Sequence, residues 1–168
     1  MAAGQQGAGS AVDSTAHDPF RGFKFRVIIG GSGGQAIGFQ SVTGIAEETE
    51  VVEYREGTDP VTMRKLPGLT SYDNIVLERG LSRSNFLLDW RKQVAHHDGY
   101  ADGLAAPSFR RVVTIQLFDK GDPFDKPVKE WEVFDAWPAR LEISDLDAGA
   151  SDVVIETLEL AHEGWRMK

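Results

Sequence analysis

The stretch FKFRVIIGGSGG, residues 23–34, decides the fold class. Its apolar side chains alternate with Lys24 and Arg26, and a period of two is typical of a half-buried β-strand. The glycines that follow permit positive φ angles, so they can reverse the chain into a second strand at about residues 36–42. The segment therefore predicts a β-hairpin.

Strand patterns recur through the rest of the chain. Residues 47–56, EETEVVEYRE, are rich in β-branched and aromatic side chains, and both alternating faces include apolar residues, which predicts a strand with a contact on each face. Residues 74–79 alternate in the same way. Three later runs have apolar side chains at strand spacing: Val113, Ile115 and Leu117; Trp131 and Val133; Val154, Leu158 and Leu160. The fold class is therefore mainly β, an antiparallel β-sandwich or barrel with one flanking α-helix, and not a βαβ fold.

The flanking helix is predicted to start near Ser84, a good N-cap residue, and to run through NFLLDWRKQVA, residues 85–95. Its residues divide into an apolar side and a polar side at helical spacing. The apolar side contains Phe86, Leu87, Trp90 and Val94, and the polar side contains Asp89, Arg91, Lys92 and Gln93. We expect an amphipathic helix on the protein surface.

Residues 57–72, GTDPVTMRKLPGLTSY, contain two prolines and two glycines. They follow neither the strand period of two nor helical spacing for more than a few residues. The sequence therefore predicts a long loop, and loops of this length in compact domains are usually functional or mobile. Apolar side chains at Val61, Met63, Leu66 and Leu69 have no reason to face water, so we expect this loop to contact another molecule.

Composition excludes several functional classes. The chain has 168 residues, which favours one domain, and its formal charge of -8 repels nucleic-acid backbones. Without cysteine there is no disulfide framework and no thiolate chemistry. Residues 1–19 are small and polar, and they are predicted to form a flexible N-terminal arm ahead of one domain at residues 20–168. We expect no signal peptide and no membrane anchor.

Some residues match catalytic or metal-binding motifs, but the segments around them lack the structure or the further ligands that these motifs need. Gly31, Gly33 and Ala36 fit a loose dinucleotide-binding pattern, and Ser32 fits a hydrolase nucleophile pattern, but each motif needs a following helix where a strand is predicted. His96 and His97 lack further metal ligands at suitable spacing. We therefore predict no catalytic residue, no metal, no cofactor and no enzymatic activity.

The residue series resembles a known family. FKFRV, FQSVTGI, VEYREG, KLPG, NIVLERGLS and FLLDW occur in this order, and FDAWPARLEISDLDAGASDVVIETLELAHEG follows them. Together they resemble the tail tube proteins of contractile phage tails and contractile injection systems over about residues 18–166. The N-terminal arm and the loop at residues 98–108 depart from the family pattern.

The resemblance implies a structural protein whose hexameric rings stack into a hollow tube, which is driven through the target envelope and conducts DNA or an effector. Its implied partners are copies of itself, a contractile sheath protein, baseplate or hub proteins and tail terminator proteins. The cargo would pass without sequence-specific binding. The implied location is a virion tail or injection particle, after synthesis in the bacterial cytoplasm.

We assign three surfaces to these roles. The ring-stacking interface is expected at Val61, Met63, Leu66, Pro67 and Leu69; the sheath-facing surface is expected at Asp89, Arg91 and Lys92; an acidic lumen face is expected at Glu48, Glu50 and Glu53. The alternatives are a type VI secretion-like ring protein, a small-molecule-binding β-barrel with an unfilled interior, and a hydrolase with a reactive Ser32.

Overall fold

The computed structural model describes residues 24–30, 33–55, 57, 63–95, 109–118, 126–147, 149 and 152–168. The predicted arm at residues 1–19 and the departing loop at residues 98–108 lie outside them. Within the described residues the chain forms ten β-strands and one α-helix. In chain order they are β1 (Phe25–Ile29), β2 (Gln35–Ile37), β3 (Ser41–Thr43), β4 (Glu47–Tyr54), β5 (Arg64–Tyr72), β6 (Ile75–Gly80), α1 (Phe86–Ala95), β7 (Arg111–Leu117), β8 (Lys129–Ile143), β9 (Ile155–Ala161) and β10 (Trp165–Met167).

Eight of the strands form one antiparallel sheet. Its order is β2-β1-β7-β8-β9-β6-β3, and β10 pairs with β8 beside this path. Only residues 38–40 separate β2 from β3, and these two strands lie at opposite ends of the path. Four peptide units span at most about 13–15 Å, so the sheet curls until its two ends approach each other. The predicted mainly antiparallel β fold with one flanking helix is confirmed.

Strand β8 allows the sheet to fold into two layers. Its first half pairs with β7 and β10, whereas its second half pairs with β9. The register with β7 shifts near Asp135, which has a φ angle of 49°, and the register with β9 shifts between Pro138 and Arg140. Bulges of this kind bend a strand and increase its twist, so β8 passes from one layer to the other.

The hydrophobic core lies between the two layers. The apolar positions of the predicted alternating strands point into it, and their side chains have exposed fractions of 0–2%. The first layer supplies Val27, Ile29, Val113, Ile115 and Val133, and the second supplies Ile75, Leu77, Leu158 and Leu160. The period-two pattern therefore identified the inner faces correctly.

The inner face of β6 ends in a charged residue. Arg79 lies opposite Glu156 of β9, both side chains are buried, and Arg79 Nε donates a hydrogen bond of 2.6 Å to Glu156 Oε2. Removal of either partner would leave the other charge buried and unpaired, which costs several kcal/mol, roughly 3–5. This ion pair therefore fixes the register of β6 against β9.

The helix begins at Phe86, two residues after the predicted N-cap. The hydroxyl of Ser84 accepts a 3.4 Å hydrogen bond from the Phe86 amide. Leu87 and Trp90 are completely buried, and the Trp90 indole N–H donates a 2.6 Å hydrogen bond to the carbonyl of Phe109. The helix packs against β8 with the apolar side that the spacing predicted.

The last strand is fixed to β8 by charged side chains. Arg166 and Lys168 contact the Glu132 carboxylate. The hydrogen bond from Arg166, followed by the contacts with Lys168, lowers the pKa of Glu132. Because the folded-state pKa is lowered, this contribution to stability is present at neutral pH and is lost as the pH falls through that pKa.

Two predicted elements differ from the structure. The second strand was expected at residues 36–42 but is divided into β2 and β3, because its first part pairs with β1 and its second part pairs with β6. The loop expected at residues 57–72 is wrong for residues 64–72, which form β5 and pair with β4. Pro67 and Gly68 obscured the strand period in that segment.

The β4–β5 hairpin extends from the body at a tightly packed base. Gly44 has a φ angle of 84°, and a Cβ atom there would lie 2.1 Å from the carbonyl oxygen of Asn74. His162 Nδ1 accepts a 3.1 Å hydrogen bond from the Gly164 amide, so Nε2 has the proton and donates to the carbonyl of Asp73 at 2.9 Å. These contacts fix the direction in which the hairpin leaves the body.

We predict that Gly44→Ala destabilises the subunit by about 2 kcal/mol or more, because positive φ costs an L-residue roughly 1–2 kcal/mol before the overlap with Asn74 is counted. Gly38→Ala is the matched control, since a Cβ atom there has no neighbour within 4 Å. Denaturant unfolding of the unassembled protein measures both changes. Equal stabilities of the two variants would contradict the close packing at Gly44.

We predict that His162→Phe accelerates hydrogen exchange at the Gly164 amide, because phenylalanine keeps a ring beside Tyr72 but cannot accept the bond from that amide. The loss of its two hydrogen bonds is expected to lower the free energy of unfolding by about 1–2 kcal/mol. Exchange at core amides of β9 serves as the internal reference. An unchanged Gly164 rate would show that the ring does not hold the hairpin base.

Candidate assembly surface

The β4–β5 hairpin is the most exposed apolar structure in the described chain. Every residue of β4 is exposed, and so is every residue of β5 except Gly68. Apolar side chains that face water include Val51 (58% exposed), Val52, Tyr54, Met63, Leu66, Leu69 (81%) and Tyr72. A two-stranded hairpin is marginally stable alone in water, and exposed apolar patches usually mark interaction sites. The hairpin is therefore the leading candidate for an assembly surface.

Both faces of the hairpin contribute to this surface. Side chains alternate along β4, so Val51 and Val52 point to opposite faces. The register places Val51 opposite Pro67 and Val52 opposite Leu66. A single partner surface could cover only one of these faces. The contact predicted on each face of residues 47–56 is not supplied within the subunit, and the hairpin is suited to insertion between surfaces.

A bulge shapes the middle of the hairpin. The register shifts between Thr49 and Val51, where Gly68 and Leu69 lie opposite Glu50. A Cβ atom at Gly68 would lie 3.1 Å from both Glu50 and Val52, so the two strands are closely packed at this position. Bulges twist a strand and disrupt its ladder. Leu69, which lies in this bulge, is the most exposed of the large apolar side chains in the described residues.

The expected stacking residues lie on this hairpin, although the segment is a strand and not a loop. Met63 precedes β5, and Leu66, Pro67 and Leu69 lie within it, all of them exposed. Val61 lies outside the described residues. Sequence reasoning did not include Val51, Val52 and Tyr54 of the partner strand in this surface. Their signal was the apolar character of both faces of residues 47–56.

The expected acidic face is divided by the strand geometry. Glu48, Glu50 and Glu53 are all exposed on β4. Because side chains alternate, Glu48 and Glu50 share one face with Val52, while Glu53 lies on the other face with Val51. The three carboxylates therefore do not form one continuous surface.

The polar side of α1 forms a second exposed surface. Asp89 and Lys92 are exposed and form an ion pair with 3.7 Å between Lys92 Nζ and Asp89 Oδ1, whereas Arg91 is half-buried. Leu88 lies beside them and is 40% exposed. The helix therefore presents both charged and apolar groups to a partner.

An open cleft remains beside the core of the described residues. An open cleft of about 310 Å³ at one mouth of the sandwich is lined by Phe25, Gln40, Ser41, Val42, Ile45, Ile115, Leu117 and Trp131. It lies at the lower end of the range for ligand pockets, roughly 300–1,000 Å³.

Strand β2 follows the glycine cluster where the dinucleotide and nucleophile motifs need a helix. The described residues include no cluster of three metal-ligating side chains. The helix in the described residues, α1, lacks the length and apolar character needed to cross a membrane.

Solved structures include close relatives of this fold. A chain of the anti-feeding prophage baseplate, determined by cryo-EM with six-fold symmetry, is 28% identical with a TM-score of 0.74. The match covers 90% of this chain and 97% of the baseplate chain. A chain of the PVC sheath–tube complex, an extracellular contractile injection system, is 23% identical with a TM-score of 0.72. The match covers 96% of this chain and 99% of the PVC chain. Hcp1 from Flavobacterium johnsoniae shares only the fold, at 12% identity and a TM-score of 0.50 over 85% of this chain and 93% of its own.

The sequence itself matches one family. Comparison with curated protein sequences gives no match. Residues 21–166 match the family of the T4-like virus tail tube protein gp19, which covers nearly the whole chain and confirms the resemblance seen in the motifs. The family, the similarity to chains of contractile injection systems and the exposed hairpin lead to the same conclusion. The chain belongs to the T4-like virus tail tube protein family and is a structural protein of a tail tube.

Proposed function

We propose that residues 20–168 form one tube domain whose hexameric rings stack into the inner tube of a contractile tail or injection particle. The apolar side chains on both faces of the β4–β5 hairpin are the main support for this proposal. Burial of apolar surface contributes about 25 cal/mol per Å², and a ring or stack supplies the surfaces that a single subunit lacks. The six-fold baseplate that contains a similar chain supports the ring size.

Ring closure also protects the strand edges. Unpaired edges invite uncontrolled pairing, and a closed ring covers them with the neighbouring subunit. Among the described strands, β4 and β5 pair only with each other, so each has an outer edge available to another subunit. Edge pairing around the ring would join the sheets of neighbouring subunits into a continuous wall.

The stacking contact is formed by Val61, Met63, Leu66, Pro67 and Leu69. The exposed fractions of Met63, Leu66 and Leu69 are 58%, 47% and 81%, so each has apolar area left to bury. Repetition around a ring multiplies a modest contact into a strong one. The tube therefore grows by addition of rings to this surface.

The lumen is a passage and not a binding site. Glu48 and Glu50 share an exposed face of β4, and we assign that face to the lumen, with Glu53 directed away from it. Carboxylates repel phosphates, whereas a cationic wall would bind DNA through counterion release. DNA or an effector would therefore move through the tube without sequence-specific binding. The protein acts without catalysis and without a cofactor.

The polar side of α1 faces the contractile sheath. Asp89 and Lys92 lie on the opposite side of the helix from Leu87 and Trp90, which are buried in the core, and half-buried Arg91 lies at the border between the two sides. The similar chains in a sheath–tube complex, a sheath/tube terminator and a baseplate support sheath, terminator and baseplate or hub proteins as partners. The protein would act in a virion tail or injection particle, after synthesis in the bacterial cytoplasm.

We predict that Met63→Ser combined with Leu66→Ser abolishes long tubes but leaves folded subunits or single rings. Each half-exposed side chain has about 1 kcal/mol of burial left to gain, so a ring loses on the order of 10 kcal/mol of stacking free energy. Leu88→Ser, at an apolar site of similar exposure on α1, is the control. Negative-stain images compare the three proteins at equal concentration. Normal tubes from the double variant would exclude the hairpin from stacking.

We predict that Arg91→Glu combined with Lys92→Glu leaves tubes intact and weakens their binding to the sheath protein at least several-fold. Charge reversal at a protein interface introduces like-charge contacts, and it slows association most strongly at low salt. Lys126→Glu, an exposed site outside α1, is the control. Co-sedimentation of sheath protein with preformed tubes measures the effect. Unfolding of the subunit would instead show that these side chains support the core.

A further inference from the structure

The open cleft at the mouth of the sandwich leaves apolar surface uncovered between the two layers. Most of its lining is apolar: Phe25, Ile115, Leu117 and Trp131 come from β1, β7 and β8, and Val42 and Ile45 come from β3 and the residues after it. Ile115 belongs to the buried core, whereas the other five are half-buried and Phe25, Val42, Ile45 and Trp131 pack against that core. The cleft is therefore an extension of the hydrophobic core with one open side.

The polar part of the lining is already engaged within the subunit. The Ser41 hydroxyl donates a 2.7 Å hydrogen bond to Glu78 Oε2, and the Gln40 amide donates one of the same length to the Glu78 carbonyl. The lining includes no charged side chain. Burial of a charged group here would therefore be unfavourable, whereas an apolar side chain gains free energy in proportion to the area that it covers. The cleft is suited to an apolar occupant.

The described chain begins at the wall of this cleft. Its first residues are Lys24 and Phe25, and the Phe118 amide donates a 2.9 Å hydrogen bond to the Lys24 carbonyl, so the pairing of β1 with β7 reaches Lys24. The preceding residues 20–23 are FRGF. Four peptide units join Phe20 to Lys24 and span at most about 13–15 Å. Two phenylalanines are thus tethered next to an open apolar cleft.

We propose that residues 20–23 of the same chain occupy the cleft, with Phe20 between the two layers and Phe23 beside Phe25. Continuation of β1 by two residues would put Phe23 on the face of Phe25, because side chains two apart in a strand share a face. Gly22 permits the chain reversal that Phe20 then needs. The short covalent link gives the segment a high effective concentration at the cleft, which favours it over the same segment of another copy.

The cleft is then part of the subunit's own core and not a pocket for a small molecule. The inference does not depend on the tube function, because it concerns the folding of a single subunit. It also assigns residues 1–19 a starting point at this mouth of the sandwich.

Cysteine labelling tests the occupancy directly, because the chain contains no native cysteine. In the unassembled protein, Val42→Cys on the cleft wall should react slowly with a maleimide, and Phe20→Ala should accelerate that reaction about tenfold or more. Thr43→Cys, at the next and exposed position of β3, is the control and should react rapidly with or without Phe20.

Two results would overturn the proposal. Equal labelling rates of Val42→Cys with and without Phe20 would show that this side chain does not fill the cleft. Protection of Val42→Cys that appears only as the protein concentration rises would assign the cleft to another copy of the chain. Protection that stays constant over a wide range of concentration supports the segment of the same chain.

Thermal unfolding supplies a second test. Phe20→Ala should lower the Tm of the unassembled protein by about 5–10 °C, because the loss of a large buried side chain leaves the cleft empty. Phe20→Leu keeps an apolar side chain there and should recover most of that loss. Val12→Ala, an apolar truncation earlier in the chain, is the control and should leave the Tm unchanged. A Tm of Phe20→Ala equal to that of the unmodified protein would contradict burial of Phe20.

Discussion

The structure depends on one constraint, the exposure of apolar side chains on both faces of a two-stranded hairpin. A sheet with one buried face has a stable place in a single subunit, but β4 and β5 have neither face buried. Two-stranded hairpins gain too little from their own pairing to remain ordered in water. The favourable state of this segment is therefore one in which a partner covers it, and we propose that the tube is that state.

The body of the subunit is organised to hold the hairpin in a fixed direction. Strands β3 and β6 pair with each other, and the hairpin continues from their ends at Gly44 and Asn74. His162 uses both ring nitrogens on the backbone at this base, and the Arg79–Glu156 pair fixes β6 against β9. A rigid base reduces the entropy lost on docking, so more of the burial energy is available for assembly.

Much of this fold could be predicted from the sequence because burial on one face produces a regular pattern. Val113 and Ile115, like Leu158 and Leu160, alternate with polar residues, and Leu87 and Trp90 recur at helical spacing. Strand β5 was missed because Pro67 and Gly68 are typical of loops. Here Gly68 lies in a bulge and Pro67 lies beside it, in a strand whose outer edge pairs with no other described strand. The division of the second strand into β2 and β3 depends on pairing with β1 and β6, which the local sequence does not specify.

Hydrogen exchange at residues 64–72 tests the central claim most directly. The account predicts rapid exchange of these amides in the unassembled subunit and slow exchange in the tube, because neighbouring copies cover the hairpin only after assembly. Core amides of β6 and β9 should be protected in both states and provide the reference. Equal protection of residues 64–72 in subunit and tube would contradict the account, since the hairpin would then need no partner.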